Sequence, residues 1–260
     1  MTHELARAAT GALLQELAVT PKPGLVDLEH RGAHRDLSCA RLAASGAALE
    51  SYFAEIARAA RDAAPSRALR EEIGDIGRRG ERAMLRASGG SNTHRGALWA
   101  LGLLVAGAAG SGGADARAIA RRAGALARLP DRFSPPAPSH GRIAARRYGA
   151  GGARGEAAAS FPHVTKCALP LLCGGAARTD VLLALMARVD DTCLLHRGGT
   201  AALYAAKTGA RAALAAGGMA TAQGRRTVRA LDGALLARNA SPGGCADLLA
   251  AGLFLHAIAR

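Results

Sequence analysis

Ala87-Ser88-Gly89-Gly90-Ser91-Asn92-Thr93-His94-Arg95-Gly96 joins two segments of helical pattern, and its reading decides the fold. Before it, Ser66 is placed to cap a helix whose apolar residues Leu69, Ile73, Ile76 and Met84 recur at helical spacing up to Ala87. After it, Leu98 to Ala109 is almost wholly apolar, which marks a buried helix. Gly89-Gly90 stops the first helix because glycine takes the left-handed C-cap conformation freely. Asn92 or Thr93 can cap the second. Four polar side chains, Asn92, Thr93, His94 and Arg95, therefore gather at the N-terminus of a buried helix, where free N–H groups suit an anion. Taken alone, the stretch reads first as a plain capped helix–helix turn.

The same pattern extends outward. Leu5, Leu13, Leu14 and Leu17 line one face of a helix over residues 3–19, which must end before Thr20-Pro21-Lys22-Pro23-Gly24. Asp36 or Ser38 can cap a long helix reaching about Asp62. A shorter helix is expected from Ala114 to about Leu129, beyond Gly110-Ser111-Gly112-Gly113. Residues 130–152, with Pro130, Pro135, Pro136 and Pro138, read as one long loop. Gly149-Ala150-Gly151-Gly152-Ala153-Arg154-Gly155-Glu156 follows it as a candidate phosphate-cradling loop or a hinge, with no dinucleotide or Walker spacing. Helices are expected at 162–173, from Thr179, at 221–238 and at 244–258. Asp190-Asp191 reads as a carboxylate pair at the unfavourable end of an apolar helix and is the best Mg²⁺ candidate. Arg197-Gly198-Gly199-Thr200 reads as a second phosphate-friendly turn. No segment alternates as a strand does. The expected fold is all-α, a single compact multi-helix domain over 1–260 with its Gly/Pro-rich polar turns gathered at one active site.

Composition narrows the function. Half of the residues are hydrophobic but only 4 Phe, 3 Tyr and 1 Trp occur, so the core is built from Ala, Leu, Val and Ile. The net charge of +14 is carried almost wholly by Arg, a residue matched to phosphates and carboxylates. Five cysteines without a C-x-x-C pair argue for reduced thiols in a cytoplasmic protein. No signal peptide follows Met1, and the Leu98–Ala109 run is too short for a bilayer, which needs about 20 apolar residues.

The turns together are more specific than any one of them. Thr20-Pro-Lys-Pro-Gly-Leu-Val-Asp27, Gly32-Ala-His-Arg-Asp36, Gly89-Gly-Ser-Asn-Thr-His-Arg-Gly96, Arg147-Tyr-Gly-Ala-Gly-Gly-Ala-Arg-Gly-Glu156, Phe161-Pro162, Asp191-Thr-Cys-Leu-Leu-His-Arg-Gly-Gly199 and Ser241-Pro-Gly-Gly244 occur in this order. This series resembles the triphosphoribosyl-dephospho-CoA synthase family over about residues 5–258. Arg95 stands where the family's pattern favours Lys, and Ala159-Ser160 where Ser-Gly is commoner.

The resemblance implies an all-α transferase that joins ATP to 3′-dephospho-CoA, releases adenine and makes 2′-(5″-triphosphoribosyl)-3′-dephospho-CoA. That product is the precursor of the prosthetic group on the acyl carrier protein of malonate decarboxylase or citrate lyase, passed on by a downstream carrier-protein transferase. Mg²⁺ is the implied cofactor, neither membrane nor nucleic acid is an expected partner, and a homodimer is compatible. Asp190 and Asp191, with Asp27 or Glu81, are the expected metal ligands. Lys22, Arg95, Arg154 and Arg197 are expected on phosphates, aided by N–H groups at Gly90, Gly198 and Gly199. Glu81, His94 or an aspartate left off the metal, Asp191 among them, is the expected general base. Asn92 and His34 are expected on ribose or base, and motif position adds Pro23, Thr93, Arg147, Glu156, Ser241 and Gly243 to the substrate contacts. Two rival readings remain: a Mg-dependent hydrolase of ADP-ribose-like N-glycosides, and a basic helical nucleic-acid binder, which the scarcity of aromatics disfavours.

Overall fold

The computed structural model describes residues 1–112, 115–135 and 138–259. Gly113 and Ala114, where a loop and a helix start were expected, Pro136 of the proline-rich segment, and Arg260 lie outside them. Every regular element among the described residues is helical. The order is α1 (Thr2–Leu17), α2 (Cys39–Ala47), α3 (Glu50–Ala60), α4 (Arg67–Ala87), α5 (Arg95–Ala109), α6 (Ala116–Arg128), α7 (His140–Tyr148) and α8 (Gly152–Ala158). A π-helical turn, Val164–Ala168, runs into α9 (Leu169–Cys173), followed by α10 (Arg178–Met186) and α11 (Thr192–Ala215). A 3₁₀ turn, Gly218–Ala220, precedes α12 (Ala222–Leu236) and α13 (Gly243–Ile258).

The two helices that are apolar on all sides, α5 and α13, form the centre. They pack on each other; α3 and α6 cover α5, and α1 covers α13. One continuous core runs through them, with Leu101, Leu104, Val105, Leu249 and Phe254 fully buried. Truncating one such leucine costs about 2–5 kcal/mol, because the cavity collapses only in part. Small residues let helices approach closely. A Cβ on Gly107 of α5 would lie 2.6 Å from the Ile119 carbonyl oxygen of α6.

Local chemistry sets the helix ends. Ser66, Asp115 and Thr221 accept N–H groups of the first turns of α4, α6 and α12. Gly89 and Gly90 carry φ of 69° and 91° after α4, as the central stretch implies. Asn92 accepts the Arg95 N–H at 3.2 Å, so α5 begins three residues before the apolar run does.

Four expectations are corrected. The long helix from Ser38 to Asp62 is two, α2 and α3, because the chain turns at Ala48-Leu49 to bury Leu49 completely. The 130–152 segment is not all loop: Ser139 caps α7 and Gly149, at φ 68°, ends it. The glycine-rich stretch 149–156 is no cradle, since Gly152 to Ala158 is helix α8. Asp190-Asp191 stands before a helix rather than closing one. Asp191 is the N-cap of α11, at the favourable end of that helix's dipole.

Candidate active site

The amino ends of α5, α11 and α13 meet at the floor of one large cleft of about 2180 Å³. That is well above the 300–1,000 Å³ of an ordinary small-ligand pocket, and leaves room for two nucleotide substrates. Three positive helix ends attract anions, and the chain supplies two of its own. Asp191 accepts the Cys193 and Leu194 N–H groups of α11 at 2.8 and 3.4 Å, and the Cys245 N–H of α13 at 2.8 Å. Asp247, on the first turns of α13, sits against Gly96 and beside the Ala97 N–H at the amino end of α5. A Cβ at Gly96 would collide with the Asp247 carboxylate, so only glycine admits this approach. The anion expected at the amino end of α5 is thus Asp247 itself.

Asp191 is completely buried, whereas Asp247 keeps surface open to the cleft. Burial raises the pKa of both above the usual carboxylate range. The shift is large for Asp247, which also faces the negative charges of Asp191 and Glu16. Asp247 has no ion-pair partner among the described residues, while Glu16 holds the buried Lys22 ammonium at 2.6 Å. The cleft floor is therefore a carboxylate group with one internal cation.

The sequence-selected residues divide by position. Glu81, Gly90, Asn92, Thr93, His94 and Arg95 line the cleft, and so do His34, Arg147, Arg154, Glu156, Ser241 and Gly243. Glu81 is paired with Arg95 through Nε at 2.7 Å. His94 is buried; its Nε2 donates to the Leu42 carbonyl at 3.0 Å and burial lowers its pKa, so it is neutral with Nδ1 as the lone-pair nitrogen. His34 is pushed down to about 4 by burial and then by Arg197, whose Nη1 lies 3.4 Å from Nδ1, and its Nε2 is 3.0 Å from Ser241 Oγ. Glu156 accepts from the His163 backbone and ring at 2.8 Å each, which raises the His163 pKa.

Lys22, Asp190, Asp191 and Arg197 line the cleft as well, but their polar groups are already bound within the protein. Arg197 spends its guanidinium on the carbonyls of Asn239 (2.8 Å) and Ala33 (2.6 Å), tying two loops together. Gly198 and Gly199 are absent from the cleft wall, and Gly199 (φ 63°) kinks α11 against the Tyr148 hydroxyl. Pro23 is buried away from the wall. Asp27 also lies off the wall, holding its loop by accepting the N–H groups of Lys22, Glu29 and His30 at 2.9–3.0 Å. Asp190 is exposed and pairs with Lys207 at 2.5 Å. The proposed ligands Asp27, Asp190 and Asp191 therefore do not converge, and no group of three His, Cys, Asp or Glu side chains among the described residues could hold a metal. Each is drawn to a different local partner instead.

Sequence reasoning missed the far wall. Arg70 and Arg78 of α4, Trp99 of α5 and Asp131 line the same cleft. Their only sequence signal was excess arginine on an amphipathic helix, which reads as solvated pairs. Asp247 was visible only as a carboxylate just after the Ser241–Gly244 turn.

Comparison with known proteins adds chemistry to this geometry. Residues 2–260 match a family described as CitG: ATP:dephospho-CoA triphosphoribosyl transferase. The 2-(5''-triphosphoribosyl)-3'-dephosphocoenzyme-A synthase of Klebsiella pneumoniae is 48% identical, over 98% of this chain and 94% of its own length. Relatives from Stutzerimonas stutzeri and Pseudomonas aeruginosa, described as probable synthases of the same name, are each 51% identical. They cover 97% and 96% of this chain, and 91% and 89% of their own lengths. No solved structure matches the chain.

Proposed function

The chain belongs to the family of ATP:dephospho-CoA triphosphoribosyl transferases, and on that premise we propose how its cleft performs the transfer. The reaction joins ATP to 3′-dephospho-CoA. The bond from ribose C1′ of ATP to adenine breaks, a bond from C1′ to the 2′-oxygen of dephospho-CoA forms, and 2′-(5″-triphosphoribosyl)-3′-dephospho-CoA results. The acceptor hydroxyl loses a proton, and adenine leaves with the bonding electrons and takes one up. Positive charge develops at C1′, as in glycoside chemistry.

The carboxylate floor suits that charge, and one observation carries the assignment. Asp247 is a deep carboxylate open to the cleft, free of any cation among the described residues and faced by Asp191 and Glu16. Asp247 is the general base that takes the 2′-hydroxyl proton, because it faces the cleft without a cation to hold its charge, and burial raises its pKa, which makes it a stronger base than an exposed carboxylate. Asp191, held by three N–H groups, keeps its position and supplies fixed negative charge beneath C1′. The Glu81–Arg95 pair and Asn92 form the adjoining wall against which ribose or base is oriented.

The floor carboxylates do not group as a metal site among the described residues, and Asp191 is already held by three N–H groups. Mg²⁺ would come in with the triphosphate, liganded mainly by phosphate oxygens and waters, and would neutralise phosphate charge. The product is a prosthetic-group precursor for a carrier protein. A carrier-protein transferase would consume it, for malonate decarboxylase or citrate lyase. No helix among the described residues is long and apolar enough to cross a membrane.

The test is a mass-resolved assay with Mg-ATP, with and without 3′-dephospho-CoA, on the wild type and Asp247→Asn. Adenine release that requires the acceptor, with a triphosphoribosyl adduct, is expected. Asp247→Asn should cut turnover by about 10²–10⁴-fold while ATP still binds. Wild-type turnover in that variant removes Asp247 from the chemistry. Adenine and free ribose triphosphate without acceptor would mark a hydrolase.

A further inference from the structure

One turn along α5 from the carboxylate floor, the cleft wall carries a stack of opposite charge. The Trp99 ring lies beneath two guanidinium groups, Arg70 at 4.9 Å and Arg154 at 5.4 Å from its centroid. Arg70 is almost wholly buried, and its one carboxylate partner, Asp131 at 3.4 Å, is shared with Arg78 at 2.8 Å. Arg154 stands at the mouth and donates only to Ser134 Oγ at 3.3 Å, without a carboxylate partner among the described residues. Arg142 adds its charge beside Arg154. Two guanidinium groups thus share one carboxylate, while Arg154 and Arg142 beside them have no carboxylate of their own among the described residues. Two buried donors here, Trp99 Nε1 and Arg70 Nε, have no hydrogen-bond partner.

Such an arrangement is costly unless an anion completes it. Guanidinium groups stay charged, and a buried donor left unpaired costs free energy that a bound acceptor would recover. Stacking on an indole offsets part of this. It also fixes the guanidinium planes, as bidentate phosphate binding needs. Position favours one phosphate chain over another. Gly96, against which Asp247 sits, and Trp99 share a face of α5 one turn apart. A ribose with C1′ over Asp247 would run its 5′ chain along that face.

We propose that the Arg70–Trp99–Arg154 stack is the subsite for the terminal phosphates of the nucleoside triphosphate and sets the preference for a triphosphate over a diphosphate. This rests on the transferase reading for the identity of the nucleotide, but not for the binding of oligophosphate. The diphosphate of dephospho-CoA offers the same chemistry from a second source, and the test separates the two.

Trp99 is the only tryptophan of the chain, so its fluorescence reports on this site alone. The full-length protein is titrated with inorganic tripolyphosphate and with pyrophosphate. Steady-state inhibition by tripolyphosphate is measured against each substrate in the same preparation. A saturable Trp99 response is expected, stronger for tripolyphosphate, with inhibition competitive towards ATP and not towards dephospho-CoA. Arg154→Met should weaken tripolyphosphate binding and raise KM for ATP at least about 10-fold, the worth of a charge-assisted hydrogen bond. It should leave KM for dephospho-CoA unchanged and shrink the ATP-over-ADP preference. Arg154→Lys should recover only part, since lysine lacks the fork. A silent Trp99 in an enzyme that still transfers overturns the subsite. Competition with dephospho-CoA reassigns the stack to the other substrate and equally overturns it. A Trp99 response competitive with ATP binding, without any transfer, would sustain the subsite and defeat the transferase mechanism instead.

Discussion

Replacing Lys22 by methionine should unfold the protein more readily than it should weaken ATP binding. The Lys22 ammonium is 1% exposed and lies 2.6 Å from Glu16 Oε1, itself on a side chain only 7% exposed. It also donates to the Glu16 carbonyl oxygen at 3.0 Å. Removing it leaves Glu16 buried without a cation, near the charges of Asp247 and Asp191. Breaking one side of a buried pair costs about 3–5 kcal/mol, which for a chain of this size lowers Tm by roughly 6–20 °C. Replacing both partners by apolar residues of similar volume is far cheaper. The assay is thermal unfolding followed by circular dichroism on Lys22→Met, Glu16→Leu and the double variant, with ATP KM measured beside it. The double variant should recover most of the loss in Lys22→Met. A Lys22→Met Tm within about 2 °C of wild type, less than 1 kcal/mol by the same scaling, together with a raised ATP KM, would refute the strut and restore Lys22 as a phosphate ligand.

Two further outcomes follow from the same geometry. His34 has a folded pKa of about 4 against an ordinary 6.5. Between those values the unfolded chain binds the proton and the folded chain does not, so stability falls as pH drops from 6.5 towards 4. Urea midpoints at neutral and mildly acid pH should converge in His34→Gln; an unchanged pH slope would count against this burial. Gly96→Ala should lose activity by pushing the Asp247 carboxylate off the amino end of α5. Helix propensity alone would favour alanine by about 0.5–1 kcal/mol, so undiminished turnover in a stabilised variant would contradict the close approach.

Much of the fold is written locally. Ser66, Asp115 and Thr221 cap helices because a short oxygen side chain can reach its own next N–H groups, and that requires only neighbours in the chain. The apolar run from Leu98 declares a central helix without further context. The ordered turns Thr20–Asp27, Gly89–Gly96, Asp191–Gly199 and Ser241–Gly244 were enough to point to the family, which the comparisons bear out.

Tertiary structure alone decided which polar groups are available for chemistry. Arg197, Asp27 and Asp190 look functional as letters, yet carbonyls, backbone N–H groups and Lys207 already occupy them. Asp247 and Arg70 look ordinary, yet one lacks a cation and the other keeps an unpartnered donor. The sequence by itself determined an all-helical chain, most of its helix ends and the chemistry to look for, since those follow from periodicity and short-range bonding. Burial and charge pairing join Asp191 to Cys245 and Trp99 to Arg154, residues brought together only when the helices pack. Desolvation and Coulomb energy depend on those long-range neighbours, so the roles of these side chains exist only in the folded molecule.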